Sequence, residues 1–180
     1  MDGSVGNAVT FLVETLFNLY LAVLLLRVLL EAVRADYHNP VSQVLLKVTQ
    51  PLVAPLSRVV PRMGSLNTAA VILLYLLQIA ALYAVALLAG LVPDLLQVLV
   101  VAVFRLVRLV LIMYLVLIIV GVILSWVGQS MRHPIIPLIY QLTDPVLAPI
   151  RRIVPTIAGL DLSPLVAIIG IQFLIILLGV

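Results

Sequence analysis

The stretch Leu142–Pro155 reads Leu-Thr-Asp-Pro-Val-Leu-Ala-Pro-Ile-Arg-Arg-Ile-Val-Pro and lies between two long apolar runs. A diverged copy, Val48–Pro61, lies 94 residues earlier and reads Val-Thr-Gln-Pro-Leu-Val-Ala-Pro-Leu-Ser-Arg-Val-Val-Pro. Aligned with itself at this offset, the chain matches prolines, an arginine, a threonine and a glutamine without a gap. The matched pairs are Pro40 and Pro134, Thr49 and Thr143, Pro51 and Pro145, Pro55 and Pro149, Arg58 and Arg152, Pro61 and Pro155, and Gln78 and Gln172. In so apolar a chain, these matches indicate an internal repeat.

The composition is that of an integral membrane protein. Of 180 residues, 65% are hydrophobic and only 9% are charged, whereas a soluble domain has about 25% charged residues. The absence of cysteine excludes disulfides, thiolate nucleophiles and Cys-ligated metals. The first residues carry no basic segment of the kind that opens a signal peptide.

Four apolar stretches are long enough to cross a hydrocarbon core about 30 Å thick. We predict spans at about 9–33, 68–91, 106–127 and 162–180. A short Pro-framed amphipathic segment lies between the spans of each repeat, at 49–61 in the first repeat (9–91) and at 143–155 in the second (106–180). Residues 92–105 are expected to form a linker or an interfacial helix. The predicted fold is an all-α membrane protein with four transmembrane helices from two parallel span–loop–span repeats.

The distribution of basic residues predicts the orientation. Two spans per repeat return the chain to its starting side, so both Pro-rich loops emerge on one face. Basic residues on that face are Arg34, Lys47, Arg58, Arg62, Arg132, Arg151 and Arg152, against Arg105 and Arg108 on the other. By the positive-inside rule, the loops are cytoplasmic and both termini lie outside, as in a multi-pass protein of the bacterial inner membrane.

Asp144-Pro145 is typical of a helix start, because Asp accepts from free backbone N–H groups and Pro lacks an N–H. We expect a helix of about ten residues, too short to span, with Arg151 and Arg152 near anionic lipid headgroups. A re-entrant hairpin is the competing geometry. The residues assigned to lipid or partner contact are Arg58, Asp144, Arg151 and Arg152. The simpler interpretation of Asp144 and the arginines is helix capping and snorkelling at the interface.

Six polar residues fall inside predicted spans and are candidates for function. They are Glu14, Asn18, Arg27, Glu31, Gln78 and Gln172. Arg27 and Glu31 are four residues apart and can form a local ion pair on one helix face. Gln78 and Gln172 are at equivalent positions, so their amides could bond across the repeat axis, which we favour, or line a polar pathway.

The sequence resembles the YggT family of bacterial and plastid membrane proteins (YlmG-like in plastids) over almost its whole length, as two YggT repeats. The residues that carry the resemblance are Thr143-Asp144-Pro145, Pro149-Ile150-Arg151-Arg152, Pro155 and Gly159-Leu160-Asp161-Leu162-Ser163-Pro164. The first repeat departs from this pattern, with Gln50 for the first Asp, Ser57 for the first Arg, Asn67 for the second Asp and Ala69 for the Ser. The resemblance implies a small inner-membrane protein linked to osmotic-stress tolerance and to membrane or envelope biogenesis.

The leading functional hypothesis is a non-enzymatic membrane scaffold or assembly factor, with no cofactor and no metal. Its expected partners are anionic lipid headgroups at the cytoplasmic face, a membrane protein and further copies of itself, without nucleic acid. The alternative is a small oligomeric channel or transporter for ions or small solutes. A lipid-modifying enzyme would depend on Asp144, Asp161 and Ser163 alone, and the sequence contains no catalytic motif.

Overall fold

The computed structural model describes residues 3–127, 133–154 and 161–179, and within them the chain is all-α. Pro155, Gly159 and Leu160, which carry part of the family resemblance, lie outside these ranges. The described helices are α1 (Gly3–Ala32), α2 (Pro40–Ser57), α3 (Thr68–Leu88), α4 (Leu95–Val127), α5 (Ile135–Arg151) and α6 (Ser163–Leu178).

Three of these helices, α1, α3 and α4, are long and apolar enough to cross a membrane. α6 is equally apolar but has 16 residues, which corresponds to roughly 24 Å of helix. Large hydrophobic side chains are exposed along all four helices, such as Phe11, Leu76, Ile119 and Phe173. The protein therefore has the helices and the apolar exterior of a membrane protein.

The predicted break between residues 92–105 and a span at 106–127 is absent. α4 runs without interruption from Leu95 to Val127, over 33 residues. The reason is local, since this segment contains neither Pro nor an early Gly, and the first glycine is Gly121. Arg105 and Arg108 thus lie well inside a long helix and not at the start of a span.

The Pro-framed segments belong to longer helices than the sequence predicts. α2 begins at Pro40, where the Asn39 side chain accepts the N–H of Val41 at 2.9 Å, and continues through Pro51 and Pro55. α5 likewise continues through Pro145 and Pro149. Asp144 is consequently in mid-helix, and the prediction that it caps a helix start is wrong.

Buried core positions recur at the offset of 94 residues. Leu24, Val53 and Leu73, from α1, α2 and α3, belong to one buried cluster. Their counterparts in α4, α5 and α6 belong to a second cluster, and they are Ile118, Leu147 and Ala167. Each long helix thus packs against the Pro-framed helix and the apolar helix that follow it.

One contact between the two halves lies where α2 and α5 begin. Asn39 Nδ2 donates to the carbonyl oxygen of Pro134 at 2.6 Å. Next to this bond, Leu30 and Leu45 pack with Leu138 and Leu142 in a third buried cluster. The Pro-framed helices are therefore part of the folded core as well as connectors between long helices.

Candidate functional site

The most deeply buried charges of the described chain are Arg27 and Glu31 on α1, with exposed fractions of 2% and 3%. Arg27 Nε donates to Glu31 Oε1 at 3.0 Å. Arg27 Nη1 donates to Thr49 Oγ1 at 2.8 Å, and Nη2 donates to Gln50 Oε1 at 3.1 Å. Glu31 Oε2 accepts the backbone N–H of Asn67 at 3.1 Å. We call these five residues the Arg27 cluster.

The Arg27 cluster connects three helices through charged hydrogen bonds. Arg27 reaches from α1 to α2, and Glu31 reaches from α1 to the residue that precedes α3. A buried ion pair is tolerated only when its remaining donors and acceptors are satisfied, and here two side chains and one backbone amide do this. The predicted local ion pair is present, and its further partners make it a clamp between helices.

A second charged group, the Arg151 cluster, lies at the end of α5. Arg151 Nε donates to Asp161 Oδ2 at 2.8 Å, and Nη1 donates to Asp144 Oδ1 at 3.0 Å. Asp161 Oδ1 also accepts the N–H of Ser163 at 2.9 Å, at the start of α6. Arg151 thus joins two turns of α5 to the beginning of α6.

The Arg151 cluster is more exposed than the Arg27 cluster, but Arg151 and Asp161 are held in their charged forms. The hydrogen bond to Asp161 raises the pKa of Arg151, against partial burial and with support from Asp144. Partial burial tends to raise the pKa of Asp161, but hydrogen bonds from Ser163 and Arg151 lower it below its usual value. Both partners therefore remain ionised at neutral pH.

A cavity of about 350 Å³ lies beside Arg151, between α4, α5 and α6. We call it the second-half cavity. Its polar or small lining residues are Gly121, Ser125, Trp126, Tyr140, Thr143, Arg151 and Asp161. Thr143 is buried, and its hydroxyl donates to the carbonyl oxygen of Ile139 at 2.9 Å. The cavity therefore has an ionised group at its edge and a hydroxyl group deep in its wall.

Another cavity, of about 380 Å³, brings together polar residues from the first halves of α1 and α4 with the middle of α3. We call it the α1–α3–α4 cavity, and it is lined by Glu14, Asn18, Gln78, Arg105 and Arg108. Arg105 Nη1 lies 3.7 Å from Glu14 Oε1. The sequence did not predict this cavity, because Arg105 and Arg108 were placed at the start of a span.

The remaining candidate residues are dispersed. Gln78 is buried whereas Gln172 is exposed, and no hydrogen bond joins the two amides in the described part of the chain. Arg58 and Arg152 follow α2 and α5 at equivalent exposed positions. The six polar residues of the predicted spans therefore divide between the Arg27 cluster, the α1–α3–α4 cavity and, for Gln172, the exterior.

Sequence reasoning missed three members of the Arg27 cluster, namely Thr49, Gln50 and Asn67. The repeat alignment drew attention to each of them, as a shared Thr or as a departure from the second copy. Their contact with Arg27 depends on how α2 folds back on α1, which residue spacing does not reveal.

Comparison with known proteins identifies a family for this chain. The family model CCB3/YggT matches residues 6–88 and again residues 100–180. An uncharacterized protein from the proC 3′ region of Vibrio alginolyticus is 42% identical over 175 residues, covering 96% of this chain and 94% of its own.

The YggT protein of Escherichia coli K12, itself described as uncharacterized, is 37% identical over 163 residues, which cover 91% of this chain and 85% of the relative. A Pseudomonas aeruginosa relative with the same description is 34% identical over 171 residues, or 94% of this chain and 87% of its own. No solved structure matches the chain. With two matches to the family model and relatives aligned over nearly its full length, the chain belongs to the CCB3/YggT family.

Proposed function

We propose that the protein is a non-enzymatic integral membrane scaffold or assembly factor of the bacterial inner membrane, which acts through contacts with lipids and with other membrane proteins. The links to osmotic-stress tolerance and envelope biogenesis that the family resemblance implies belong to this proposal. The observation that carries it is a buried apolar layer between two polar regions of the helix bundle.

This layer lies between the Arg27 cluster and the α1–α3–α4 cavity. Along α1 the two regions are separated by Leu21, Leu24 and Leu25, and along α3 by Leu73 and Leu74. All five side chains are buried in one cluster. Such a layer favours a closed helical framework and argues against a water-filled path through a single chain, because a pathway needs polar or wetted walls.

We place four helices across the membrane, with α6 as the fourth. Its roughly 24 Å falls short of the usual core, and a local thinning of the bilayer accommodates such a mismatch at modest cost. α6 packs on α4 through Ala167 and Ile171 and exposes Leu165, Ile169 and Phe173 to lipid. α2 and α5 lie at the cytoplasmic interface in this arrangement, with Arg58, Arg151 and Arg152 near anionic headgroups.

A pair of reporters at the C-terminus tests this orientation. With four spans and cytoplasmic loops, a periplasmic reporter is active there and a cytoplasmic reporter is silent. The opposite result would overturn both the orientation and the interfacial placement of α2 and α5.

Photo-crosslinking in native membranes tests the scaffold. A crosslinking residue at Arg58 or Arg152 should capture the same protein partner, and one at the lipid-facing position Phe173 should not. The capture should also decline in a variant with Arg152→Glu. Recovery of self-dimers and lipid alone from all three positions contradicts a scaffold that works through protein contacts.

The α1–α3–α4 cavity favours a second candidate, a small oligomeric channel or transporter. Its five polar lining residues could form part of a pathway at an interface between copies. Flux into liposomes tests this directly, since Gln78→Leu should then reduce flux while Gln172→Leu should not. An absence of flux from the unaltered protein removes this candidate and leaves the scaffold intact.

A further inference from the structure

The two halves of the protein differ in what fills the space between their three helices. In the first half this space contains Arg27 and Glu31. The positions 94 residues later are Gly121 and Ser125, and here the second-half cavity of about 350 Å³ is found. At these two positions the first half thus carries a cationic and an anionic side chain, and the second half carries neither.

Two of the three acceptors that hold the cation of the first half have oxygen-bearing counterparts on α5. Thr49 Oγ1 accepts from Arg27, and its counterpart Thr143 accepts from no donor in the described part of the chain. Gln50 Oε1 also accepts from Arg27, and its counterpart is the carboxylate of Asp144. The exchange of an amide for a carboxylate next to Thr143 makes this part of α5 more attractive to a cation.

Both signs of charge are present at the cavity edge, because Arg151 and Asp161 line the cavity and Asp144 is bonded to Arg151. One guanidinium and the carboxylates of Asp144 and Asp161 leave a net charge of about −1, which favours a cationic group. Arg151 Nη2 donates to no described group, because the two carboxylates are bonded by Nε and Nη1. An anion beside the bound cation would therefore find a free, directed donor.

We propose that the second-half cavity binds the headgroup of a membrane phospholipid that carries a primary ammonium next to its phosphate. The ammonium donates to Thr143 Oγ1 and to the carboxylate of Asp161, and the phosphate accepts from Arg151 Nη2. A primary ammonium is required because these acceptors bind N–H donors, which a trimethylammonium lacks. The inference requires membrane insertion of the chain but not its action as a scaffold.

The surroundings favour a lipid over a basic side chain of a partner protein. Trp126 lines the cavity and is 75% exposed, as is usual for tryptophan at the level of lipid headgroups. Ile123 and Ile119 are exposed along the same helix and offer a surface to acyl chains. A single lipid can satisfy the apolar surface, the ammonium acceptors and the phosphate donor together.

Trp126 is the only tryptophan of the chain and lies in the cavity wall, so its fluorescence reports occupancy. The protein is reconstituted in phosphatidylcholine bilayers that contain a small fraction of brominated phosphatidylethanolamine, phosphatidylcholine or phosphatidylglycerol. Bromine quenches tryptophan at contact, so relative quenching measures relative binding. We expect phosphatidylethanolamine to bind at least about fivefold better than phosphatidylcholine, since the loss of a single hydrogen bond is worth roughly that factor.

The double variant Gly121→Arg with Ser125→Glu should abolish this preference, because it inserts the ion pair of the first half. A Cβ at Gly121 meets only Ile139 Cγ2 at 3.6 Å, an ordinary contact. Gly170→Leu, at a helix position with open space around it, is the matched control and should keep the preference. If the double variant does not fold, Thr143→Val should reduce the preference in its place.

Equal quenching by the three lipids overturns the proposal, and so does stronger quenching by phosphatidylglycerol. Soluble phosphoethanolamine is added to distinguish a lipid headgroup from a free small molecule with the same ammonium and phosphate groups. Quenching that it does not relieve supports a lipid ligand, and relief at low concentration shows a site for the free zwitterion. A result on flux or on crosslinking does not bear on this experiment, so the proposed function can fail independently.

Discussion

Arg27 Nη1 donates to Thr49 Oγ1 at 2.8 Å, across 22 residues of chain and between two helices. The Thr49 hydroxyl in turn donates to the carbonyl oxygen of Leu45 at 2.6 Å. The guanidinium is thereby tied to the backbone of α2. The counterpart hydroxyl of Thr143 makes the same bond to its own helix, at Ile139, but receives no guanidinium from the residues that the structure describes. This difference makes the first half a closed unit and leaves the second half with a cavity.

Glu31→Gln should destabilise the protein strongly. The change leaves Arg27, which is 2% exposed, without its counter-ion, and a buried pair that loses one partner costs about 3–5 kcal/mol. The free energy of unfolding in detergent micelles, from denaturant titration, measures the loss.

Glu14→Gln is the matched control for that variant. Glu14 also faces an arginine, but at 3.7 Å and with 43% of its side chain exposed. An exposed pair is worth about 0–1 kcal/mol, so this variant should unfold nearly as the unaltered protein does. Equal losses at the two positions would show that the Arg27 cluster is not the clamp of the first half.

Thr49→Val and Thr143→Val should differ in cost, although both remove a buried hydroxyl from equivalent positions. Thr49→Val removes a hydrogen bond to a charged group, which is worth about 1.5–3 kcal/mol, whereas Thr143→Val removes only a bond to a carbonyl, worth about 0.5–1.5 kcal/mol. The difference between the two free energies of unfolding checks the asymmetry. A larger cost at Thr143, in detergent free of phospholipid, would contradict it.

Acidification should weaken the hydrogen bond between Asp161 and the Ser163 amide and so destabilise the start of α6. The folded-state pKa of Asp161 is lowered from its ordinary value of 3.8, so its contribution to stability is present above that value and is lost as pH falls through the lower folded pKa. Hydrogen exchange at the backbone amide of Ser163, which donates to Asp161 at 2.9 Å, reports the change. Protection of this amide should decline in that range of pH.

Asp161→Asn provides the comparison for the acid experiment. Its amide oxygen can still accept from Ser163 but does not titrate, and it lacks the charge that attracts Arg151. The variant should show weaker protection at neutral pH and little further loss in acid. A loss of protection that is the same in both proteins would place the titrating group elsewhere.

Much of the architecture follows from local features of the sequence. The membrane class, the all-α fold and the helical character of α1, α3 and α6 depend on long apolar runs, which tertiary packing does not alter. The pair of Arg27 and Glu31 depends on a spacing of four residues within one helix. Each of these predictions needed only the geometry of a single helix.

The wrong predictions concern proline, which was expected to mark a helix start, and arginine, which was expected to mark the start of a membrane span. The sequence predicts a helix start at Pro145, but α5 extends through this residue. Leu138, Leu142 and Leu147 of the same helix pack into the core on both sides of it. Arg105 and Arg108 were treated as the start of a span, but no residue between Leu95 and Val120 interrupts a helix. The α1–α3–α4 cavity and the second-half cavity depend on contacts between distant helices, which local rules do not supply.

The second-half cavity also predicts unequal costs for matched core truncations. Leu24 and Ile118 are equivalent, with exposed fractions of 0% and 1%, but Ile118 lines the second-half cavity. Leu24→Ala should cost about 2–5 kcal/mol, because close packing on all sides leaves a new void. Ile118→Ala should cost less, since an atom beside an existing cavity has fewer neighbours to lose.

The exposed position Leu19, on the same helix as Leu24, controls for the change in helix propensity that accompanies Leu→Ala. Leu19→Ala should change the free energy of unfolding by no more than about 0.5 kcal/mol. Adding the bound phospholipid should then raise the cost of Ile118→Ala toward that of Leu24→Ala, because the ligand supplies the contacts that the empty cavity lacks. Equal costs at Leu24 and Ile118 in phospholipid-free detergent would mean that the second half is packed as tightly as the first.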